Sequence, residues 1–402
     1  MNKSYPNTRM RRNRSAKFIR NLVRETSFSV DDLIYPVFIL PGKKKKEPIK
    51  SMPGKNRYSV DVLLPIIGKL HKKGLNAIAL FPVVGKEKKS KDAKEAFNSR
   101  GLIQSAVKRI KKEYPNLGII TDIALDPYTL SGHDGIVDKN GYVLNDKTVN
   151  VLTKQALSHA EAGADIVAPS DMMDGRILSI RKAFEKNKHH NIKILSYAAK
   201  YASNFYGPFR DAIDSSKNLN DSSKETYQMD FANITESSLE INLDINEGAD
   251  IVIIKPGLPY LDIVAKIKKE FPIPIFSYHV SGEYSMIKSA ALKTKILKIS
   301  KINYLLKLKQ LEKASSQVSF LEKDGIPNWM RRTLLRLKLS ILFLKNEQTD
   351  FKTLSRLSSR LYPNDDWFLN PNRGPIAVCR WVYNIQINIC LLSTLLQMLS
   401  AC

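Results

Sequence analysis

Seven short apolar runs, rich in β-branched residues, recur along the chain: "LIYPVFIL" (33–40), "AIALFPVV" (77–84), "LGIITDIAL" (117–125), "ADIVAPS" (164–170), "KILSYAAK" (193–200), "DIVIIKPG" (250–257) and "PIFSYHVS" (274–281). Their apolarity is continuous rather than alternating, so each strand is covered on both faces, as in a parallel sheet wrapped by helices. The intervening stretches, such as "VNVLTKQALSHAEAGA" and "YLDIVAKIKKEF", place apolar residues at three- and four-residue spacing and read as amphipathic helices. Repeated βα units permit a doubly wound sheet or a barrel. Several runs end in polar residues ("TDIALD", "APSDMMDGR", "YAAK", "IKPG", "HVSGE"), and a barrel gathers its chemistry at the C-terminal ends of its strands. The expected fold is therefore an α/β (β/α)8 TIM barrel, with the eighth strand missing or replaced.

It goes missing where the composition changes, near Ala291. All three Trp (Trp329, Trp367, Trp381) and all three Cys (Cys379, Cys390, Cys402) lie beyond it, but only Gly325 and Gly374 of the 18 Gly. The chain divides into an N-terminal arm (1–32), the barrel (33–291) and a mainly helical, unrelated tail (292–402). The apolar "LSILFLK" (339–345) is the tail segment that could fill the eighth place. A seven-strand barrel would leave strands 1 and 7 with unpaired edges, and destabilisation is expected. The last 21 residues, 382–402, are uncharged and long enough to span a bilayer. Their interrupting Asn and Gln favour a buried helix over membrane contact.

The net charge of +25 raises the question of nucleic acid. The lysines sit in scattered runs, "KKKK" at 43–46 and "KEKK" at 86–89, with no interleaved aromatics and no Cys/His finger, so a solvated surface is the better reading. No cysteine precedes Cys379, which points to a reducing compartment. The basic N-terminus has no apolar core of a secretory signal, so a cytoplasmic location is expected.

Two lysines each close an apolar strand, Lys200 in "ILSYAAKYAS" and Lys255 in "IVIIKPGLPY". A desolvated lysine near a second cation loses its proton more readily and can attack a carbonyl to form a Schiff base. Two such lysines suggest two carbonyl substrates, or one covalent lysine with an electrostatic helper. Between them, residues 205–228 form a polar connection of lid length in which Arg210 and Lys224 can clamp a carboxylate. Ser281 adds a hydroxyl at the seventh strand's end. The stretch "TDIALDPYTLSGHDG" (121–135) sets Asp122, Asp126 and Asp134 around His133; on these residues alone a metal site, a proton-transfer site and a polar loop all stay open.

The motifs "APSDMMDGR" (168–176), "SYAAKYASNFYGPFRDA" (196–212), "IIKPGLPYLDIV" (253–264) and "YHVSGEY" (278–284) closely resemble the porphobilinogen synthase, or delta-aminolevulinic acid dehydratase, family, from "RMRRNR" to about Ala291. The resemblance implies a (β/α)8 barrel that condenses two 5-aminolevulinate molecules into porphobilinogen with loss of two waters, in tetrapyrrole (heme) synthesis. It puts Lys200 and Lys255 on the two Schiff-base lysines, with Lys255 expected to serve the A site and Lys200 the P site. Arg210 and Lys224 match residues that bind the A-site carboxylate, and Ser281 one that binds the P-site carboxylate. Zinc-dependent members carry three cysteines where this chain has Ala124, Asp126 and Asp134, so it resembles the cysteine-free branch with no catalytic zinc. There, a magnesium away from the active site promotes a homo-octamer, and Glu240 falls on its ligand. Asp126 and Asp134 are expected to orient the substrate amine or hold water or a monovalent cation, and Asp122 to assist proton transfer. The arm, with "RMRRNR", matches one that wraps a neighbouring subunit.

Beyond Ala291 the family's eighth strand, with its Thr-Tyr pair, is not recognisable. Three readings therefore compete: a working synthase with a replaced C-terminus, an inactive relic of one, and an aldolase-type barrel with a single Schiff-base lysine.

Overall fold

The computed structural model describes residues 4–213, 223–293 and 317–318, all within the compact unit Met1–Gly325. The strands are β1 (Leu33–Leu40), β2 (Lys46–Pro48), β3 (Asn56–Ser59), β4 (Ala77–Pro82), β5 (Gly118–Ile123), β6 (Ile166–Pro169), β7 (Lys193–Lys200), β8 (Ile251–Lys255), β9 (Ile275–Tyr278) and β10 (Gln317–Val318). The helices are α1 (Lys17–Leu22), α2 (Val60–His71), α3 (Leu102–Glu113), α4 (Asn145–Glu161), α5 (Arg176–Lys186), α6 (Gly207–Ala212), α7 (Thr235–Glu247), α8 (Leu261–Glu270) and α9 (Ser281–Lys293). All seven apolar runs form strands. They pair in parallel in the order β1-β4-β5-β6-β7-β8-β9, as alternating strands and helices dictate.

The expectation of two unpaired edges is corrected. β10 pairs in parallel with β9 (Ser277 with Gln317, Tyr278 with Val318) and with β1 (Leu33 with Gln317, Ile34 with Val318), so an eighth strand closes the ring from within the tail. The far half of the same β1 edge is covered by β3, through Phe38, Ile39 and Leu40. Closure rests on main-chain groups over only two residues, a length too short to leave a periodic signature. Residues 339–345 and 382–402 lie outside the described residues. No described helix is long and apolar enough to cross a membrane.

Two apolar layers result from the strands' two covered faces. Inside the barrel, Phe38, Phe81, Ile120, Leu195, Ile253 and Tyr278 pack together with Ile49 and Met52, which the β2–β3 connection lowers onto them. Outside, residues such as Val252 and Ile254 pack against Ile241 of α7 and Ile263 and Ile267 of α8. In the arm, α1 leaves Phe18 and Leu22 exposed, and no described residue before Phe28 is buried.

Candidate active site

Lys200 and Lys255 are the last residues of neighbouring strands and pair directly in register, which brings both amines to the barrel mouth. Each is only 6% exposed. Their surroundings differ. Lys200 Nζ donates to Asp134 Oδ2 at 3.0 Å and to the Ser170 carbonyl. Lys224 Nζ donates to the other oxygen of the same carboxylate, Asp134 Oδ1, at 2.5 Å and reaches Asp126 Oδ2 at 3.5 Å. Burial alone would raise the Asp134 carboxyl, but Lys200 and Lys224 outweigh it and hold it well below the ordinary range. Burial pushes Asp126 up against the pull of Lys224, and burial's downward push on Lys224 is overcome by Asp134 and Asp126.

Lys255 sits among rings instead. Its Nζ lies 4.6 Å from the ring centre of Tyr278, 5.1 Å from Tyr197 and Tyr206, and 5.2 Å from Phe209. No carboxylate among the described residues comes within ion-pair distance. Burial first and the Lys200 ammonium second push its pKa down to about 7. Asp122, on β5, is pushed up to about 7, by burial against the pull of Lys255 and with the help of Asp126. Its Oδ1 is buried without a hydrogen-bond partner.

These groups line one tight pocket with Phe81, Ser170, Arg210 of α6 and Gln228. Ser281, at the start of α9, does not line it; its Oγ donates to the Phe205 carbonyl at 3.3 Å, three residues past Tyr278 on the Lys255 side. Lys200 thus shares a carboxylate with Lys224, near Asp126, and Lys255 lies over Tyr278 and three other rings. Lys224, expected to clamp a carboxylate beside Lys255, here shares Asp134 with Lys200. Nothing in the sequence marks which lysine the shared carboxylate contacts.

Several residues around the two lysines are not legible in the sequence. The ring cage of Tyr197, Tyr206, Phe209 and Tyr278 shows there only as aromatics in ordinary strand and loop contexts. Gln228 stands one helical turn from Lys224, its Oε1 buried and without a partner. The Tyr227 hydroxyl accepts from the Asp134 N–H at 3.2 Å, tying the segment that follows Lys224 to the aspartate loop; of the expected lid, residues 214–222 lie outside the described residues.

Glu240 is not part of this pocket. It lines a second and larger cavity, of about 220 Å³, with Asp174, Glu225 and Glu236 on the other face of residues 225–229. Burial pushes its carboxyl up to about 6; Arg176 opposes this, and Asp244, Asp174 and Glu236 add to it. No three His, Cys, Asp or Glu among the described residues are grouped tightly enough to cage an ion. The donor chemistry, carboxylates around a space with room for several waters, fits a hard ion that keeps part of its hydration. At the mouth itself, Asp126 and Asp134 contact lysine ammonium groups.

The comparisons with known proteins agree with this geometry. A family model described as delta-aminolevulinic acid dehydratase matches residues 7–314, continuing past Ala291. The chain is 51% identical to the delta-aminolevulinic acid dehydratase of Bradyrhizobium diazoefficiens over 283 residues, 70% of this chain and 80% of the relative. It is 54% identical to that of Methanothermus sociabilis over 286 residues, 71% of this chain and 88% of the relative. A crystal structure of the Toxoplasma gondii enzyme in complex with the reaction product porphobilinogen matches with a TM-score of 0.77 at 43% identity, over 79% of this chain and 90% of that one. The family generally binds metal ions. Identity of this extent, over a barrel that sets two lysines side by side at its mouth, means that the chain belongs to the delta-aminolevulinic acid dehydratase family, the porphobilinogen synthases.

Proposed function

We propose that this chain condenses two 5-aminolevulinate molecules into porphobilinogen through Schiff bases on Lys200 and Lys255, in a cytoplasmic heme pathway. The adjacent pairing of the two lysines, one in an ionic and one in an aromatic environment, is the observation that carries it. At each lysine the amine adds to a substrate ketone, forming a C=N bond and releasing water. A pKa near 7 leaves much of Lys255 neutral and nucleophilic at physiological pH. When the Schiff base becomes protonated, positive charge returns amid four rings, whose faces attract it. Asp122, poised near 7, can pass the protons that carbinolamine formation and dehydration require. Lys200, beside Lys224 and near Arg210, serves the A-site substrate, whose carboxylate those two cations take; Lys255 serves the P-site substrate, with Ser281 at its carboxylate. Asp126 and Asp134 orient the A-site amine.

Borohydride reduction in the presence of labelled 5-aminolevulinate is expected to leave stable adducts on both lysines. An adduct on one alone would favour the aldolase-type reading, and none in folded protein, the relic.

The Glu240 cavity is the proposed magnesium site, in which Glu240, Asp174 and Glu236 would hold the ion or its waters. Magnesium supplies the positive charge that these crowded carboxylates lack. Glu240→Ala is expected to abolish stimulation by added magnesium and to remove the bound ion from a metal analysis. Full stimulation in the variant excludes this site. The exposed Phe18 and Leu22 of the arm support its packing on a neighbouring copy in an octamer.

A further inference from the structure

Side chains alternate between the two faces of a regular strand, so residues three apart point to opposite sides. Tyr197 and Lys200 break this rule. Tyr197 lies over the Lys255 amine at 5.1 Å and Lys200 bonds Asp134 at 3.0 Å, so both face into the barrel. The register explains how. Ser196 pairs with Val252 and Ala199 with Ile254, so β7 spends three residue steps where β8 spends two. One extra residue makes a β-bulge, which re-aims the side chains beyond it. Leu195 and Tyr197 belong to the inner layer, whereas Ala198 and Ala199, consecutive in sequence, both belong to the outer one.

A bulge leaves main-chain groups out of the ladder, and one of them finds a partner here. Arg176 Nη2, at the start of α5, donates to the Tyr197 carbonyl at 3.4 Å and to Ser196 Oγ at 3.2 Å. Its Nη1 and Nη2 each meet Asp244 of α7 at 3.3 Å, and its Nε lies 3.6 Å from Asp171. Ser196 Oγ in turn donates to Asp244 Oδ2 at 2.5 Å. All of this is buried: the Arg176 side chain is 2% exposed, Asp171 0% and Asp244 3%. A guanidinium can hold two carboxylates, a hydroxyl and a carbonyl at once because its five donors lie in a fixed plane; an ammonium cannot.

We infer that Arg176 is a positioning residue for the reaction, its fork holding the bulge that turns Tyr197 and Lys200 to the same side of β7. It touches neither lysine. Its effect reaches Lys200 through the strand, and it rests on the proposed role of Lys200 as a Schiff-base former.

The test compares borohydride-trapped adducts on Lys200 and Lys255, quantified by peptide mass spectrometry, in the full chain and in two variants. Arg176→Lys keeps the charge facing Asp171 and Asp244 but loses the fork. Ser196→Ala keeps the arginine and removes only the hydroxyl, a milder change should the first variant fold poorly. The Lys200 adduct is expected to fall relative to that of Lys255, by about tenfold or more in R176K and by a smaller factor in S196A, since small displacements of a reacting group cost this much. General loss of folded protein would lower both adducts together and leave their ratio alone. An unchanged ratio in the variants, with both adducts present in the unaltered chain, overturns this inference and spares the proposed function. Absence of either adduct from the unaltered chain overturns both.

Discussion

Lys255→Met is expected to lower kcat/KM by about 10⁴-fold or more, in line with removal of a nucleophile that nothing nearby replaces. Lys200 cannot stand in, because its amine is tied to Asp134 and the Ser170 carbonyl. Methionine fills the ring cage with a flexible apolar chain and puts no buried amine there. The same substitution is expected to stabilise the fold. In the folded protein Lys255 has a pKa of about 7, lowered from the ordinary 10.5, so between those values the unfolded chain binds more protons and wild-type stability rises with pH. The cost of keeping this lysine buried is therefore largest below pH 7 and shrinks toward pH 10. Urea unfolding at pH 6 and pH 9 should show the variant's advantage to be larger at pH 6, while its turnover is absent at both. The wild-type rate should fall on acidification through pH 7, as the amine gains its proton. Retained turnover in K255M would remove Lys255 from the chemistry.

Asp134→Asn is expected to damage both stability and catalysis. One carboxylate serves two buried ammonium groups, at 3.0 Å and 2.5 Å. Asparagine leaves both largely uncompensated, since Asp126 is 3.5 Å from Lys224 and is itself pushed toward its neutral form. Breaking a buried pair by removing one partner costs about 3–5 kcal/mol. The pH dependence has a definite sign. The Asp134 carboxyl is held below its unfolded value, so its stabilisation is fully present above the ordinary carboxylate range and is lost as pH falls through the folded value. Unfolding midpoints of wild type and D134N should differ most near pH 7 and converge in acid. A loss of about 10²-fold or more in kcat/KM should accompany this, because Lys200 and Lys224 both lose the group that aims them. A difference under about 1 kcal/mol at pH 7 is typical of exposed ion pairs and would sink the shared-carboxylate arrangement.

Much of this molecule is legible in its sequence. A parallel sheet buried on both faces needs near-continuous apolar strands, and each of the seven runs is one. Lys200 and Lys255 stand out because a charged residue ending such a run must lie at the mouth or be destabilising, and Asp126 and Asp134 because the family places thiolates there. Other features leave no local mark. β10 is a main-chain contact between residues nearly three hundred positions apart, with two residues of pattern. The β2–β3 excursion that covers half an edge and lowers Ile49 and Met52 onto the barrel interior is polar along its strands and reads as loop. The ring cage draws on β7, β9 and the 205–212 segment, and only the fold reveals that four ordinary aromatics surround one amine. The bulge in β7 does have a sequence trace in the paired alanines of "SYAAK", but without a register to compare against, two alanines are simply small residues.

The described residues that line the reaction pocket run from Phe81 to Lys255, and β10 pairs at the base of β1. Reactivity and ring closure are therefore inherited from separate stretches of the polypeptide. A change in the strand that closes the ring is free to alter how long the barrel survives while leaving the bond-making groups untouched. In such a chain the rate per folded molecule and the lifetime of each molecule can drift independently.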